Sequence, residues 1–272
     1  EPPKPWTWNS SVLDQVAQQF DVAVVAFSWM WNEENWRSVR ILPALAKDSG
    51  ALCDTGPPLV VLLNKEYAKL PAKLDWIRAH CVAAALSAHH NVTLFANTTG
   101  IPFTRISFGV EPDVFRGADE RSDNEHTRHH HGFSHDIGFT GVIRNDQTGN
   151  WRHKIWTQGF PRLKGLVRVW NFEQGIRGGV HHGVAFRQLN QSAYAAGMHG
   201  SKLWLSTTGP ADLVGQRYFE IFSTGTTLCI CNRLDGDAYS SLGIVEHQHV
   251  LMFSSVDEFV ELVVNYTQSE LY

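Results

Sequence analysis

YAAGMHGSKLWLSTTGPADLVGQRYFEIFSTGTTLCICN, residues 194 to 232, decides how the chain is read. Leu203 to Ser206 is a short apolar run that predicts a buried strand, and Thr207, Thr208, Gly209 and Pro210 break it as a loop would. Asp212 is expected to cap a helix on which Val214, Tyr218, Ile221 and Phe222 recur at i, i+4, i+7 and i+8. Gly225 stands where a left-handed C-terminal cap is wanted, and Thr226 to Cys231 is a second β-rich run. The unit is therefore strand, polar loop, helix, strand. In an open α/β sheet, ligands collect at the carboxyl ends of strands, and helix N-termini there present unpaired N–H groups to anions. A loop of small residues such as Thr208 and Gly209 lets a diphosphate approach the backbone. Arg217 and Glu220 lie three apart on one helical face, which taken alone reads first as a surface ion pair.

The totals agree with a globular α/β chain. With 272 residues, 43% hydrophobic and 18% charged, the length suffices for one large domain or two small ones. A formal net charge of −4 argues against a nucleic-acid surface, which needs a basic excess. No apolar run approaches the roughly 18 to 20 residues of a membrane span. The sequence opens at Glu1 rather than Met, so a leader, an anchor or another domain is expected to precede it. Cys53, Cys81, Cys229 and Cys231 are too few and too scattered for a disulfide scaffold or a zinc knuckle, and the last two share one strand face, as core residues do. Sequons at Asn9, Asn91, Asn97, Asn190 and Asn265 favour the secretory pathway, with the Golgi lumen ahead of the cytoplasm.

In the first half, Asp21–Phe27 and Leu59–Leu63 are nearly unbroken apolar runs, the mark of strands covered on both faces. The segment between them holds a tryptophan-rich loop over 28–36, suited either to stacking on sugars or to capping a core, then a helix over about 35–47. Asn64 to Tyr67, including Glu66, closes the second strand with polar groups. A helix over about 72–80, a strand over 82–87 followed by His89, His90 and Asn91, and a strand over 104–108 repeat the plan. Alternation at this period implies parallel crossovers and a doubly wound sheet. Residues 1–116 thus read as one Rossmann-like domain, and 117–135 as a polar, histidine-rich linker in which His129, His130, His131 and His135 are too loosely placed to expect a metal site. A second domain, 136–272, is expected to hold strands over 136–142, 165–171 and 250–253, with a helix over about 188–198. Ser254 or Ser255 with Glu258 forms a capping box for a closing helix on which Val256, Phe259, Val260 and Val263 keep helical spacing.

Ser201-Lys202, an apolar strand, then Gly209, Arg217, Glu220 and Gly225 before another strand resembles the donor half of GT-B glycosyltransferases. The pattern is similar to the CgeB/YkvP-like (group 1) enzymes and more loosely to the exostosin-like ones. The resemblance implies an α/β fold of two Rossmann-like domains with parallel sheets facing across a cleft, the first on the acceptor side and the second binding the donor. It implies that Glu220 accepts hydrogen bonds from ribose hydroxyls and that Arg217 faces phosphate. A glycine-bearing strand before an arginine-headed helix resembles Gly141 through Lys154, so Arg144, Arg152 and Lys154 become diphosphate candidates. Group 1 enzymes also have an E-x7-E pattern; Asp212 stands eight residues before Glu220, a departure at the first carboxylate that leaves a plain helix cap as its stronger reading.

The implied reaction moves a hexosyl or pentosyl group from a nucleotide-diphosphate sugar, the co-substrate, to a glycan or other hydroxyl acceptor, with no cofactor. The chain is read as holding no D-x-D dipeptide, the usual divalent-metal clamp of the other common glycosyltransferase fold, so the transfer is expected to be metal-independent. An inverting outcome would need a base beyond a strand end of the first domain, Glu66 or His89, with Glu34 third; a retaining one would not. The alternative is a catalytically inactive nucleotide-sugar or glycan-binding module. A dinucleotide oxidoreductase is disfavoured because SWMWNEENW, not a G-x-G-x-x-G turn, follows Phe27. A histidine-rich metal carrier is the remaining reading.

Overall fold

The apolar runs of both halves do pair as parallel strands in the computed structural model, which describes residues 23–26, 58–63, 70–79, 81–116, 132–141, 150–170, 190–209 and 212–268. The chain divides into two compact units, residues 1–107 and 108–272.

In the first unit, β1 (Ala23–Ala26), β2 (Leu59–Leu63), β3 (Val82–Ser87) and β4 (Phe103–Arg105) form a parallel sheet in that order. Helix α1 (Leu70–Ala79) brings Leu74 and Ile77 to Val61, Leu63, Val82 and Ala85 in its core. Helix α2 (Val92–Thr99) occupies a segment to which the sequence reading assigns no element. Burial of Phe95 and the left-handed Gly100, whose N–H donates to the Ala96 carbonyl, outweigh the weak propensity. Cys81 is disulfide-bonded, whereas Cys229 and Cys231 are free and fully buried in the second unit.

The second unit opens with α3 (Pro112–Phe115). Polarity alone put the boundary after residue 116, but Phe115 is buried in this unit's core among Ala195, Met198 and Trp204. Its sheet contains β5 (His135–Phe139), β6 (Val169–Trp170), β7 (Ser201–Ser206), β8 (Leu228–Asn232) and β9 (Val250–Phe253), all parallel, in the order β6-β5-β7-β8-β9. Strand β6 is two residues long where seven were expected.

Period-two alternation assigns the faces. Trp204, Cys229, Cys231, Val250 and Met252 look toward α6 (Gln191–His199) and α7 (Gln216–Ser223), which add Met198, Tyr218 and Ile221. Leu203, Leu205, Ile230, Leu251 and Phe253 look toward Phe160, Phe259 and Val263 on the other side. That second layer is α4 (Trp151–Lys154), a π-helical turn (Ile155–Gly159) and α5 (Phe160–Leu163), packed with α8 (Val256–Gln268). The capping box of α8 forms: the Glu258 N–H donates to Ser255 Oγ at 3.0 Å, and Glu258 Oε2 accepts from the Ser254 N–H at 2.7 Å.

Among the described residues no helix is long and apolar enough to cross a membrane.

Gly138 fixes how closely the core approaches β5, because a Cβ there would lie 2.1 Å from the Trp204 ring. Gly138→Ala should therefore cost about 1–3 kcal/mol of stability through overpacking, read as a lower urea midpoint with an unchanged slope. The paired Trp204→Phe change should restore part of the loss; no restoration would show that Trp204 is not the clashing group.

Candidate functional site

A strand order of β6-β5-β7 means that the chain leaves β5 to one side and returns to β7 on the other. The carboxyl ends of β5 and β7 thus flank the point where the winding reverses, which is where open parallel sheets bind ligands. Gly141 lies two residues past β5, and Thr207 and Thr208 directly follow β7.

Two guanidinium groups converge on Gly141. A Cβ at that position would stand 3.3 Å from Arg152 Cζ and Nη1 and 3.3 Å from Arg217 Nη1, and its φ of +142° disfavours any L side chain. Arg152 is delivered by the start of α4, whose first turn is capped by Asn150 Oδ1 accepting from the Arg152 N–H at 2.9 Å. Arg217 is the second residue of α7. Burial and the nearby Arg217 charge push the Arg152 guanidinium down to about 10, and its buried Nε has no hydrogen-bond partner among the described residues. Two cations held together with an unsatisfied donor make a site for an anion with several oxygens.

Glu220 reaches the same place through a third residue. Tyr194 on α6 donates its hydroxyl to Glu220 Oε2 at 2.9 Å and accepts from Arg217 Nε at 3.1 Å. Burial pushes the Tyr194 phenol up, so it stays a donor. Arg217 and Glu220 are accordingly not a surface ion pair but two ends of a relay. Among the described residues only Oε2 of Glu220 takes a hydrogen bond. The sequence reading missed Tyr194; it lies 23 residues from Arg217, and its one signal was a phenol among small residues, Ala193, Ala195, Ala196 and Gly197, on a helix leading into the loop.

The other expected site residues separate from this cluster or brace it. Thr208 commits its N–H to Asn232 Oδ1 at 2.9 Å and its hydroxyl oxygen to Asn232 Nδ2 at 3.0 Å, tying the loop to the end of β8. Gly209 exchanges backbone bonds with Leu213 and Asp212. Asp212 does not cap a helix: α7 begins at Gln216 with Gly215 at its N-cap, and Asp212 sits exposed in the preceding loop at φ +54°. Lys154 turns its Nζ over the Trp151 ring, 4.9 Å from the centroid. Arg144 lies outside the described residues.

Asp235-Gly236-Asp237 does spell D-x-D, against expectation, on exposed residues past the carboxyl end of β8. Among the described residues no group of three or more histidines, cysteines or carboxylates is placed to hold a metal, and the histidines of 129–131 lie outside them.

In the first unit, Glu66 also lies outside the described residues. His89 follows β3, is buried, and stacks on His90 at 4.3 Å. Its Nδ1 accepts the Asn91 N–H at 2.9 Å, so the neutral ring carries its proton on Nε2, and proton abstraction by His89 would require that bond to be given up.

No family model and no curated protein matches the chain. Solved structures do. The chain shares a fold with Anabaena Alr3699/HepE. The likeness extends to that protein in complex with UDP-glucose (TM-score 0.57, 11% identity, 95% of this chain and 72% of that one). It extends also to the complex with UDP and glucose (0.56, 11%, 96% and 71%) and to the complex with UDP (0.52, 12%, 95% and 72%).

Arg152 gives the site a measurable signature. Its depression to about 10 corresponds to roughly 3 kcal/mol, less after solvent screening, lost by the folded state at every pH below about 10. Arg152→Met should raise the thermal midpoint of the free protein, by about 2–4 °C per kcal/mol recovered, and abolish the stabilisation conferred by inorganic pyrophosphate. A lowered midpoint would assign Arg152 to the fold instead. Gly141→Ala should leave the far-ultraviolet spectrum unchanged while weakening pyrophosphate binding about tenfold or more, because the added methyl displaces both guanidiniums.

Proposed function

We propose that the chain is a glycosyltransferase of GT-B design that moves a sugar from a nucleoside diphosphate donor to an acceptor hydroxyl. The observation that carries the reading is the pair Arg152 and Arg217 at Gly141, two cations beside the winding reversal of a parallel sheet. Likeness in fold to a protein crystallised with UDP and UDP-glucose supports it and makes uridine donors the first to try.

In this reading the diphosphate lies against Gly141, where the absence of a side chain admits its oxygens to both guanidiniums. Charge grows on the leaving diphosphate as the glycosidic bond breaks, and donors already oriented in a half-buried site stabilise that growth without reorganising. Tyr194 holds Arg217 to the phosphate and Glu220 to the ribose hydroxyls, so one phenol sets the distance between the two recognition points. Two arginine charges supply what a divalent ion would otherwise supply, and a third positive centre beside an already depressed Arg152 would add repulsion; this favours metal-independent transfer. Arg144 and Lys154 would extend the phosphate surface.

In this reading the first unit binds a glycan or another hydroxyl acceptor. An inverting reaction would draw its base from Glu66, or from His89 after release of the Asn91 N–H. The motif from Gly209 to Gly225 favours a CgeB/YkvP-like subgroup. Secretory-pathway residence, in the Golgi lumen, is supported by the disulfide at Cys81. The competing reading, a binding module without turnover, shares the donor site and differs only in the absence of nucleotide release.

Purified protein should release nucleotide from one member of a panel of UDP-, GDP- and dTDP-sugars, and that nucleotide should raise its apparent stability by about 2.7 kcal/mol at a hundredfold excess over Kd. Binding without release would favour the module; neither would defeat the assignment. Glu220→Ala should weaken nucleoside and nucleotide alike by roughly 1–3 kcal/mol, since ribose hydroxyls lose a charged acceptor. Arg217→Ala should harm diphosphates more than the bare nucleoside in isothermal titration, and equal losses would point to a folding role for Arg217.

A further inference from the structure

Sequon asparagines and other asparagines separate cleanly in the fold. Asn91, Asn97, Asn190 and Asn265 head sequons, and all four are exposed; Asn150 and Asn232, the remaining described asparagines, are half-buried and fully buried. A branched oligosaccharide can be carried only by an asparagine whose amide reaches solvent in the native state. Local geometry is compatible at each position. Asn190 caps α6 through Oδ1, which accepts the Ala193 N–H at 2.7 Å, while attachment uses Nδ2. Asn97 and Asn265 stand on the outer faces of α2 and α8. Asn91 and Asn97 lie three residues to either side of Leu94, which at 58% is the most exposed of the large apolar side chains described, so sugars there would shade it. The disulfide at Cys81 independently points to an oxidising compartment, where such modification occurs.

We infer that the chain carries N-linked oligosaccharides on at least two of Asn91, Asn97, Asn190 and Asn265. In the step, Nδ2 bonds to the anomeric carbon of a lipid-diphosphate-linked oligosaccharide; the bond from that carbon to the diphosphate oxygen breaks, the lipid diphosphate leaves, and Nδ2 gives up one proton. Nothing is oxidised or reduced. The Thr99 and Thr267 hydroxyls, which the sequons require, donate to the Phe95 and Val263 carbonyls in the folded protein, so transfer precedes the closing of α2 and α8.

The test is treatment of the protein from its own cells with an N-glycan amidase in 18O water, followed by peptide mass spectrometry. Each occupied asparagine is expected to appear as 18O-labelled aspartate, at two or more of the four positions, with Cys81 protected from alkylation until reductant is added. Unlabelled asparagine at three or all four positions overturns the proposal. The outcome is independent of nucleotide binding, so it neither rescues nor damages the glycosyltransferase reading.

Discussion

Like charges brought together at partly buried positions are the constraint around which the second unit is arranged. Arg152 comes from a helix on one face of the sheet and Arg217 from a helix on the other, and they meet past the carboxyl end of β5, at Gly141. Their repulsion and the partial burial of Arg152 work against folding. Such a site persists when the surrounding packing more than offsets it, and the alternating faces of β7, β8 and β9 supply that packing with Leu203, Leu205, Ile230, Leu251 and Phe253 below and Trp204, Met252 and Val250 above.

Placement of the relay follows from a short series of contacts. Gly138 lets the Trp204 indole lie on β5; Trp204 meets Trp170 at 5.1 Å and Tyr194 at 5.8 Å; Phe115 closes the other side of Tyr194 at 5.8 Å. Gly197, where a Cβ would stand 2.3 Å from the Trp170 ring, lets α6 come down onto the same aromatic cluster. The phenol ring is thereby held by apolar neighbours while its hydroxyl emerges between Arg217 and Glu220. Rigid aromatic support of a polar tip is what allows a hydrogen-bonded pair to keep its geometry before any ligand arrives.

Much of this was legible in the residues, and the failures have physical causes. Strands β3 and β9 and the capping box of α8 lie where apolar runs and hydroxyl spacing put them, because both signals are local. Arg217 and Glu220 were found by motif, but their coupling was not, since it passes through Tyr194 on another helix. Asp212 was misread as a cap because an aspartate before an apolar stripe satisfies the rule for a helix start. In the fold it adopts a left-handed turn, and Gly215 takes the cap position. Helix α2 was passed over because propensity is weak wherever threonine and valine dominate, and the deciding contact, Phe95 against the sheet, is tertiary. Asp235-Gly236-Asp237 is the opposite case: a D-x-D read as absent stands in the sequence on exposed residues past β8, so the expectation of metal-independent transfer rests on the paired arginines and not on a missing motif.

Asymmetry between the two arginines bears on how a site of this kind would act on a reacting donor. Arg217 is tethered by Tyr194 through Nε, so its free terminal nitrogens are oriented before binding. Arg152 has no such tether among the described residues, and its orphaned Nε leaves it the more poorly satisfied of the two. An anion of fixed charge would bind both; an anion whose charge increases during bond breaking gains most from the cation that is least satisfied beforehand, because that interaction has the most left to recover. In the proposed reaction, Arg217 would therefore suit recognition of the ground state and Arg152 the stabilisation of charge as it develops.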